Sequence, residues 1–342
     1  MRVLQSFPAA RATTNPYLVQ LRDRLRPHAQ VFEFSWRRAL TNRYDVFHVH
    51  WPETLLHGRT PARSLARRVL FRTLLARLRR RHTAVVRTVH NAHSHEPNPG
   101  IEQRLLDRLD RQTVLWIRLN PATPTPTGAS VHTIEHGDYR EWFARRTLPA
   151  PIPGRLLFFG LIRPYKGIDG LVSAFCDLTD SLPPGPGLSL RIVGRPNSPE
   201  LGAEVLGAAA ADPRIGVRLG HASEAALADE VGQAELVVLP YRDMHNSGAA
   251  LLALSLGRPI LVPANVVTEA LREEVGGEWV LTYTGALSAA ALARGLMRAR
   301  VPRLSNGPDL SRRDWDDIAR RHLDAYSCAL READLWRLSA RP

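Results

Sequence analysis

The chain has 342 residues, 44% hydrophobic and 23% charged, with 46 Lys+Arg against 33 Asp+Glu and a net charge of +13. That is enough for two globular domains of ordinary size. Cys176 and Cys328 are the only cysteines, without CxxC or Cys/His spacing, which argues against a disulfide framework and a zinc module and fits a reducing compartment.

The N-terminal MRVLQSFPAA reads as a first strand, because its apolar stretch is too short and mixed for a signal peptide. RVLQSF, VFEFSW, VFHVHW, AVVRTVH, TVLWIRL and VHTIEHG follow one another as strands of the first half. Between the third and fourth lies Arg59 to His82, with nine arginines and no acid. On a helix, Leu70, Phe71, Leu74, Leu75 and Leu78 form one stripe, with Arg68, Arg72, Arg79 and Arg80 largely opposite. Two readings stand: a core helix with a solvated basic face, or a helix on anionic lipid headgroups. No apolar run approaches the length of a bilayer span.

Charge and histidine are concentrated in this half. Residues 1–150 carry 25 arginines against 11 acids, whereas 151–342 carry 21 basic and 22 acidic residues; ten of the 13 histidines precede residue 150. Three histidine-bearing stretches stand at strand ends: HVHWPE (48–53), TVHNAHSHE (88–96) and IEHGDY (134–139). They offer His50, Trp51, Glu53, His90, Asn91, His95, Glu96, His136 and Asp138. His93, His95 and Glu96 lie close together but lack HExxH or similar helical spacing, so no metal site is expected.

TLPAPIPG, Thr147 to Gly154, has three prolines and reads as a linker. Beyond it LLFFG, LSLRIVG, GVRLG, ELVVLP, RPILVP and WVLTY alternate with helical stretches such as SEAALADEVGQA, the rhythm of βαβ units and a parallel sheet. The last stretch, SRRDWDDIARRHLDAYSCALREADLW, is an amphipathic helix. The fold expected is α/β: two doubly wound Rossmann-like domains facing a cleft, with residues 1–150, 151–310 and a returning helix at 311–342. In such sheets ligands bind beyond the carboxyl ends of the strands.

Two strand ends in the second half carry anion-binding chemistry. FFGLIRPYKG runs from a strand through Gly160 to Arg163 and Lys166 and then into a helix; Lys166 is the sole lysine of the chain. Gly160 lets backbone amides approach a ligand, and a helix N-terminus favours an anion. Arginine binds phosphate through its fork, and lysine as a compact point charge where a guanidinium will not fit. In LPYRDMHNSGAALLALSLGRPILVP, Asn246, Ser247 and Gly248 cap a helix, leaving the amides of Ser247, Gly248 and Ala249 as a second anion site.

FFGLIRPYKGIDGLVSAF, IVG, LVVLPY and SGAALLALSLGRPILVP together resemble the donor domain of GT-B glycosyltransferases. VHTIEHGDYREWF (131–143) is similar to the segment closing the N-terminal domain in that fold, and Trp315, His322 and Tyr326 to the helix that crosses back beneath it. The resemblance implies that Arg163 and Lys166 neutralise a diphosphate leaving group, with the 247–249 amides as a further contact. Many retaining families place Glu-x7-Glu here; His245 and Ala253 stand at those positions, and Leu161 follows Gly160 where an arginine is common. Glu269 is then the acid left for a ribose or sugar hydroxyl. His90 matches a histidine near the donor sugar, and Glu53, His90, Glu96 and His136 are the candidate bases for an acceptor hydroxyl. His50, Trp51, Asn91 and His95 are the candidate acceptor contacts, Trp51 by stacking on a sugar.

Such enzymes generally dispense with a catalytic metal, and no cofactor is expected. HVHWPE, TVHN and YKG are similar to bacterial exopolysaccharide mannosyl and glucuronosyl transferases. The likeness implies a nucleotide-diphosphate sugar as donor, GDP-mannose before a UDP-linked glucuronosyl or glucosyl donor. The implied acceptor is a glycan or lipid-linked saccharide, and the implied setting a cytoplasmic protein at the inner face of the cell membrane. A nicotinamide dehydrogenase is disfavoured because SFPAARATTNP and FGLIRPYKG both lack GxGxxG. A nucleic-acid binder is disfavoured by the absence of a finger, RNP or helix-turn-helix signature.

Overall fold

The computed structural model describes residues 1–11, 14–90, 100–178, 187–242, 244–303, 305 and 307–339, the last four for backbone only. Two compact units are present: Met1–Gly137 with the stretch from Arg312 onward, and Asp138–Ser311. The sequence reading put the boundary near 150. It falls earlier because Tyr139 and Phe143 are buried in the core of the second unit, and the 147–154 stretch is fastened there too, with Ile152 N donating to Gln233 O at 2.9 Å.

The first unit is a six-stranded sheet flanked by helices. Its elements are β1 (Arg2–Gln5), α1 (Pro16–Leu25), β2 (Gln30–Phe32), α2 (Trp36–Thr41), β3 (Val46–His50), α3 (Pro61–Arg81), β4 (Ala84–Val89), α4 (Gly100–Asp110), β5 (Thr113–Arg118) and β6 (Ser130–Thr133). Strand order is β2-β1-β3-β4-β5-β6, and every pairing is parallel. Side chains alternate between two cores: Val3, Val46 and Val86 face one, and Leu4, Phe47 and Val85 the other. The second core is closed by Phe71, Leu74, Leu75 and Leu78 of α3, the stripe expected of it, while Leu65 and Val69 stay 63% and 58% exposed. Thr60 caps α3 by accepting from Arg63 N, and Pro61 fits the first turn because no amide is needed there.

In the second unit, the short α5 (Arg140–Phe143) precedes β7 (Arg155–Phe159), α6 (Ile168–Cys176), β8 (Ser189–Gly194), α7 (Pro199–Ala209), β9 (Ile215–Leu219), α8 (Glu224–Gln233), β10 (Leu236–Val238), α9 (Gly248–Ser255), β11 (Ile260–Pro263), α10 (Val266–Val275), β12 (Val280–Tyr283) and α11 (Ala289–Arg300). The order β12-β11-β10-β7-β8-β9 is again wholly parallel. The last element, α12 (Trp315–Ser339), returns to the first unit, where Trp315, Ile318, Ala319, Ala325, Tyr326, Ala329 and Ala333 complete the core under β3, β4 and β5.

This topology fixes where ligands belong. Strand order reverses between β1 and β3 in the first unit and between β7 and β10 in the second, so the crevice at each reversal opens at the carboxyl ends of those strands. Gln5 and His50 end β1 and β3; the Gly160–Lys166 turn and the 240–247 loop follow β7 and β10.

Candidate functional site

At the crevice of the second unit, β7 leads through Gly160 (φ 120°) to a 3-10 turn, Pro164–Lys166, and Gly167 at φ 66° starts α6. The turn is clamped against the loop after β10. Arg242 N donates to Tyr165 O at 2.8 Å, and a Cβ on Gly167 would sit 2.2 Å from Pro240 O. Close approach and positive φ both require glycine at that position.

The clamp places the Lys166 ammonium 3.3 Å from the centre of the Tyr241 ring and 5.1 Å from that of Tyr165. Burial raises the Tyr241 pKa, and the nearby Ser247 hydroxyl partly offsets that. Ser247 is the N-cap of α9, its hydroxyl accepting from Ala250 N at 3.2 Å, so the amides of Gly248 and Ala249 remain at the helix start. The two anion-binding turns expected from the sequence thus meet at one tyrosine. Neither Lys166 nor Arg163 has a carboxylate partner among the described residues. Burial, and then the nearby Arg163 charge, push the Lys166 pKa down to about 7. Such a cation gains from an incoming anion what no protein carboxylate supplies. Glu269 lies in the first turn of α10 and pairs with Arg272 at 3.4 Å; Asn265, the cap of that helix, donates from Nδ2 to Met244 O at 2.9 Å.

The crevice of the first unit holds imidazoles. His48 and His50 share one face of β3, and Thr88 and His90 continue the same face along β4. His50 is 2% exposed, with Nδ1 2.9 Å from His90 Nε2 and Nε2 3.2 Å from Gln5 Oε1. His48 lies between Thr88 Oγ1 and the Tyr326 hydroxyl, each at 2.7 Å. Tyr17 of α1 packs against His90 at 5.4 Å, His136 at 4.6 Å and Trp315 at 5.5 Å. His136 donates from Nδ1 to Gly137 O at 2.7 Å, and a Cβ on Gly137 would lie 2.3 Å from the Trp315 ring. Trp51, in the left-handed region at φ 43°, stacks on His90 with ring centres 3.7 Å apart. A bulky residue held there is strained backbone at a site, which the ring stack helps hold.

His90 and His136 therefore lie together around Tyr17. His50 stands behind His90 rather than at the surface, because both of its nitrogens are engaged. Trp51 gives one ring face to His90. Glu53 follows on the 3-10 turn Pro52–Leu55, where burial raises its pKa and nearby Arg87 partly offsets that. Asn91, His95 and Glu96 lie outside the described residues. Among the described residues no group of three or more His, Cys, Asp or Glu side chains is placed to hold a metal ion. Gln5, His48 and Thr88 were not singled out from the sequence. The alternation H-V-H in HVHWPE does put 48 and 50 on one face, but nothing local marks Gln5 or its link to Tyr326.

Two wholly parallel units with crevices at both strand-order reversals make up the GT-B fold. Solved structures with this fold include a sucrose-phosphate synthase from Thermosynechococcus elongatus, 17% identical, TM-score 0.58, covering 98% of each chain. Another is the catalytic domain of starch synthase IV from Arabidopsis thaliana, 10% identical, TM-score 0.62, covering 96% of this chain and 99% of that one. The profile of the family "Glycosyl transferases group 1" matches residues 153–299. A GDP-mannose:glycolipid 4-beta-D-mannosyltransferase of Xanthomonas campestris pv. campestris is 46% identical over 328 residues, spanning 96% of this chain and 92% of the relative. The chain belongs to the GT-B glycosyltransferases and is a transferase enzyme.

Burial has a pH consequence. Desolvation lowers the pKa of His50 to about 3 and of His136 and His322 to about 4, and carries His48 and His90 well below the ordinary 6.5. The folded unit keeps these rings neutral, while the unfolded chain protonates them below pH 6.5. Their contribution is complete above pH 6.5 and declines as pH falls toward 4; His136 alone would lose on the order of 3 kcal/mol by pH 4. Amide exchange at pH 7.5 and 5 should show β3 and β4 losing protection on acidification before β7 and β8; equal loss in all four would contradict this. Gly167→Ala is expected to cost about 1–3 kcal/mol in thermal unfolding, from strain at positive φ, and an unchanged melting temperature would show that the clamp yields.

Proposed function

We propose that the enzyme transfers mannose from GDP-mannose to a glycolipid acceptor at the inner face of the cell membrane, in exopolysaccharide synthesis. One observation carries the donor assignment: the sole lysine lies over Tyr241 with no carboxylate partner among the described residues, beside Arg163 and close to the α9 cap. The 46% identical relative named for GDP-mannose and glycolipid supports the choice of sugar and acceptor. Two cations and the amides of Gly248 and Ala249 suit the charge of a nucleoside diphosphate leaving group without a metal ion. Asn246 and Gly160 shape the same turns, and Glu269 is assigned to a donor hydroxyl.

The relative's name specifies a β product, and GDP-mannose holds its sugar through an α bond, so the transfer proposed here inverts the anomeric centre. The acceptor oxygen bonds to C1 as the C1–phosphate oxygen bond breaks, the diphosphate leaves with the electron pair, and the hydroxyl proton passes to a base. His90 is assigned that role and His136 a supporting one. Burial holds both neutral, and a neutral imidazole retains a lone pair. Trp51 is assigned to the acceptor sugar through the ring face that His90 does not cover.

The arginine excess is assigned to an anionic lipid surface rather than to nucleic acid. On α3, Leu65 and Val69 are exposed beside Arg72. At the ends of β4 and β5 opposite the histidines, a cavity of about 840 Å³ is lined by Arg79, Arg80, Arg108 and Arg111; the first three have no carboxylate partner among the described residues, and Arg111 lies near Asp110. No described helix is long and apolar enough to cross a membrane, so attachment would be by surface contact.

Lys166→Ala should lower kcat/KM for GDP-mannose by about 100-fold, and Lys166→Arg should recover less than about a tenth of it, because a guanidinium is broader than the place over Tyr241. Full activity in Lys166→Ala would refute the donor site. In co-sedimentation, vesicles containing phosphatidylglycerol should retain the protein and phosphatidylcholine vesicles should not. Leu65→Asp/Val69→Asp/Arg79→Glu/Arg80→Glu should release it, and tighter binding to duplex DNA than to anionic vesicles would reverse the assignment.

A further inference from the structure

Arginines of the first unit are commonly answered by an acid: Arg2 by Asp45, Arg22 and Arg26 by Glu33, Arg68 by Glu102. Three that are not come together. Arg11, from the loop after β1, and Arg37 and Arg38 of α2 line one cavity of about 740 Å³ with Pro8 and Phe34. None of the three has a carboxylate partner among the described residues. The acid nearest to Arg37 and Arg38 in sequence is Glu33, and its Oε1 is taken by Arg22 and Arg26 at 2.9 and 3.2 Å. It gives Arg38 only its backbone oxygen, 3.2 Å from Nη1. Cations lining one space repel each other; an anion among them removes that repulsion and gains the fork of each guanidinium.

The cavity lies at the carboxyl ends of β1 and β2, the same end of the sheet as the histidine crevice. One residue links the two. Phe7 O accepts from Phe34 N at 2.7 Å, and the Phe7 ring meets that of His50 edge-on at 6.0 Å. Two strand spacings separate β1 from β4, so the cavity begins about 10 Å across the sheet from the strand that leads to His90. One molecule longer than a single sugar can therefore reach both. The cavity at Arg79 and Arg80 lies at the other ends of the strands and offers no such reach.

The donor diphosphate has its own cation, Lys166, in the second unit, so the charge suited to this cavity is the acceptor's. Three guanidiniums offer more charge than one sugar carboxylate answers, whereas a phosphoryl group presents several oxygens to several forks. We propose that Arg11, Arg37 and Arg38 form the subsite for a phosphoryl group that joins the acceptor's saccharide to its lipid, the sugars running past Phe7 toward His90. The proposal rests on the reading of the acceptor as a glycolipid. A contact made equally before and during the transfer lowers KM for the acceptor and leaves kcat alone.

Calorimetry on the whole protein, saturated with GDP so that the Lys166 site is occupied, tests the subsite with hexyl phosphate as the probe. Wild type should bind it, and Arg11→Gln/Arg37→Gln should weaken binding about tenfold. Arg79→Gln/Arg80→Gln should leave it unchanged; an equal loss there would mean attraction to the basic surface at large and overturn the proposal. Sodium hexanoate binding as tightly as hexyl phosphate would mark a carboxylate site and also overturn it. In transfer assays, Arg11→Gln/Arg37→Gln should raise KM for the glycolipid about tenfold, with kcat and KM for GDP-mannose unchanged. An unchanged KM for the glycolipid would mark a site for free phosphate and end the acceptor role. Wild-type enzyme idle on every glycolipid would instead fail the acceptor reading itself.

Discussion

An ammonium group is strongly hydrated, and taking it from water without a carboxylate partner is unfavourable. Lys166 is nevertheless held over the Tyr241 ring, and its pKa is drawn down to about 7. The second unit bears this cost through ordinary backbone devices. Gly167 approaches Pro240, Tyr165 O accepts from Arg242 N, and Ser247 caps α9 close to Tyr241. The first two of these contacts, like Lys166 over Tyr241, join the turn after β7 to the loop after β10, the two strands between which the sheet reverses its order. The topology creates the crevice, and an uncompensated cation in it gives the crevice a preference for anions.

The first unit solves the reverse problem. It is rich in cationic side chains, yet its crevice is built from neutral imidazoles that burial keeps neutral. Many of its arginines lie on helices or in pairs such as Arg22 with Glu33 at 2.9 Å, while Arg313, buried near the crevice, donates to His136 O at 3.3 Å. His48 and His50 are satisfied internally through Gln5, Thr88, His90 and Tyr326, and α12 contributes both Tyr326 and Trp315 to the cluster. A helix from the end of the chain is therefore part of the site as well as the core, and truncation before Tyr326 would open both.

Much of this was legible before any coordinates. The six strand runs of each half and the parallel pairing follow from apolar runs bounded by turn residues, whereas the return of the last helix was implied by the resemblance to the GT-B fold. FFGLIRPYKG and HNSGAALL each suggested an anion-binding turn, and the meeting of both at Tyr241 is a tertiary fact that no local pattern carries. The boundary at 137 was hidden because proline density at 147–154 signals a stiff segment, whereas burial of Tyr139 and Phe143 decides which unit holds it. His50 looked like a surface ligand from its strand-end position. Its partner Gln5 is 45 residues away, and Tyr326, at the other end of the Gln5 amide, is 321 residues from Gln5. The α3 stripe was readable from spacing alone; the exposure of Leu65 and Val69 was not, because periodicity reports the buried face and leaves open what meets the other.

The claim on which the account depends is that Lys166 awaits a diphosphate. Because it is the chain's only lysine, protein labelled with carbon-13 in lysine gives a single ε-carbon signal, and a titration between pH 5 and 11 reads its pKa without assignment. The account predicts a midpoint near the value of about 7 set by burial, and a rise of at least about one unit on saturation with GDP, since a bound anion favours the charged form. A midpoint at the ordinary 10.5 that GDP leaves unmoved would contradict it.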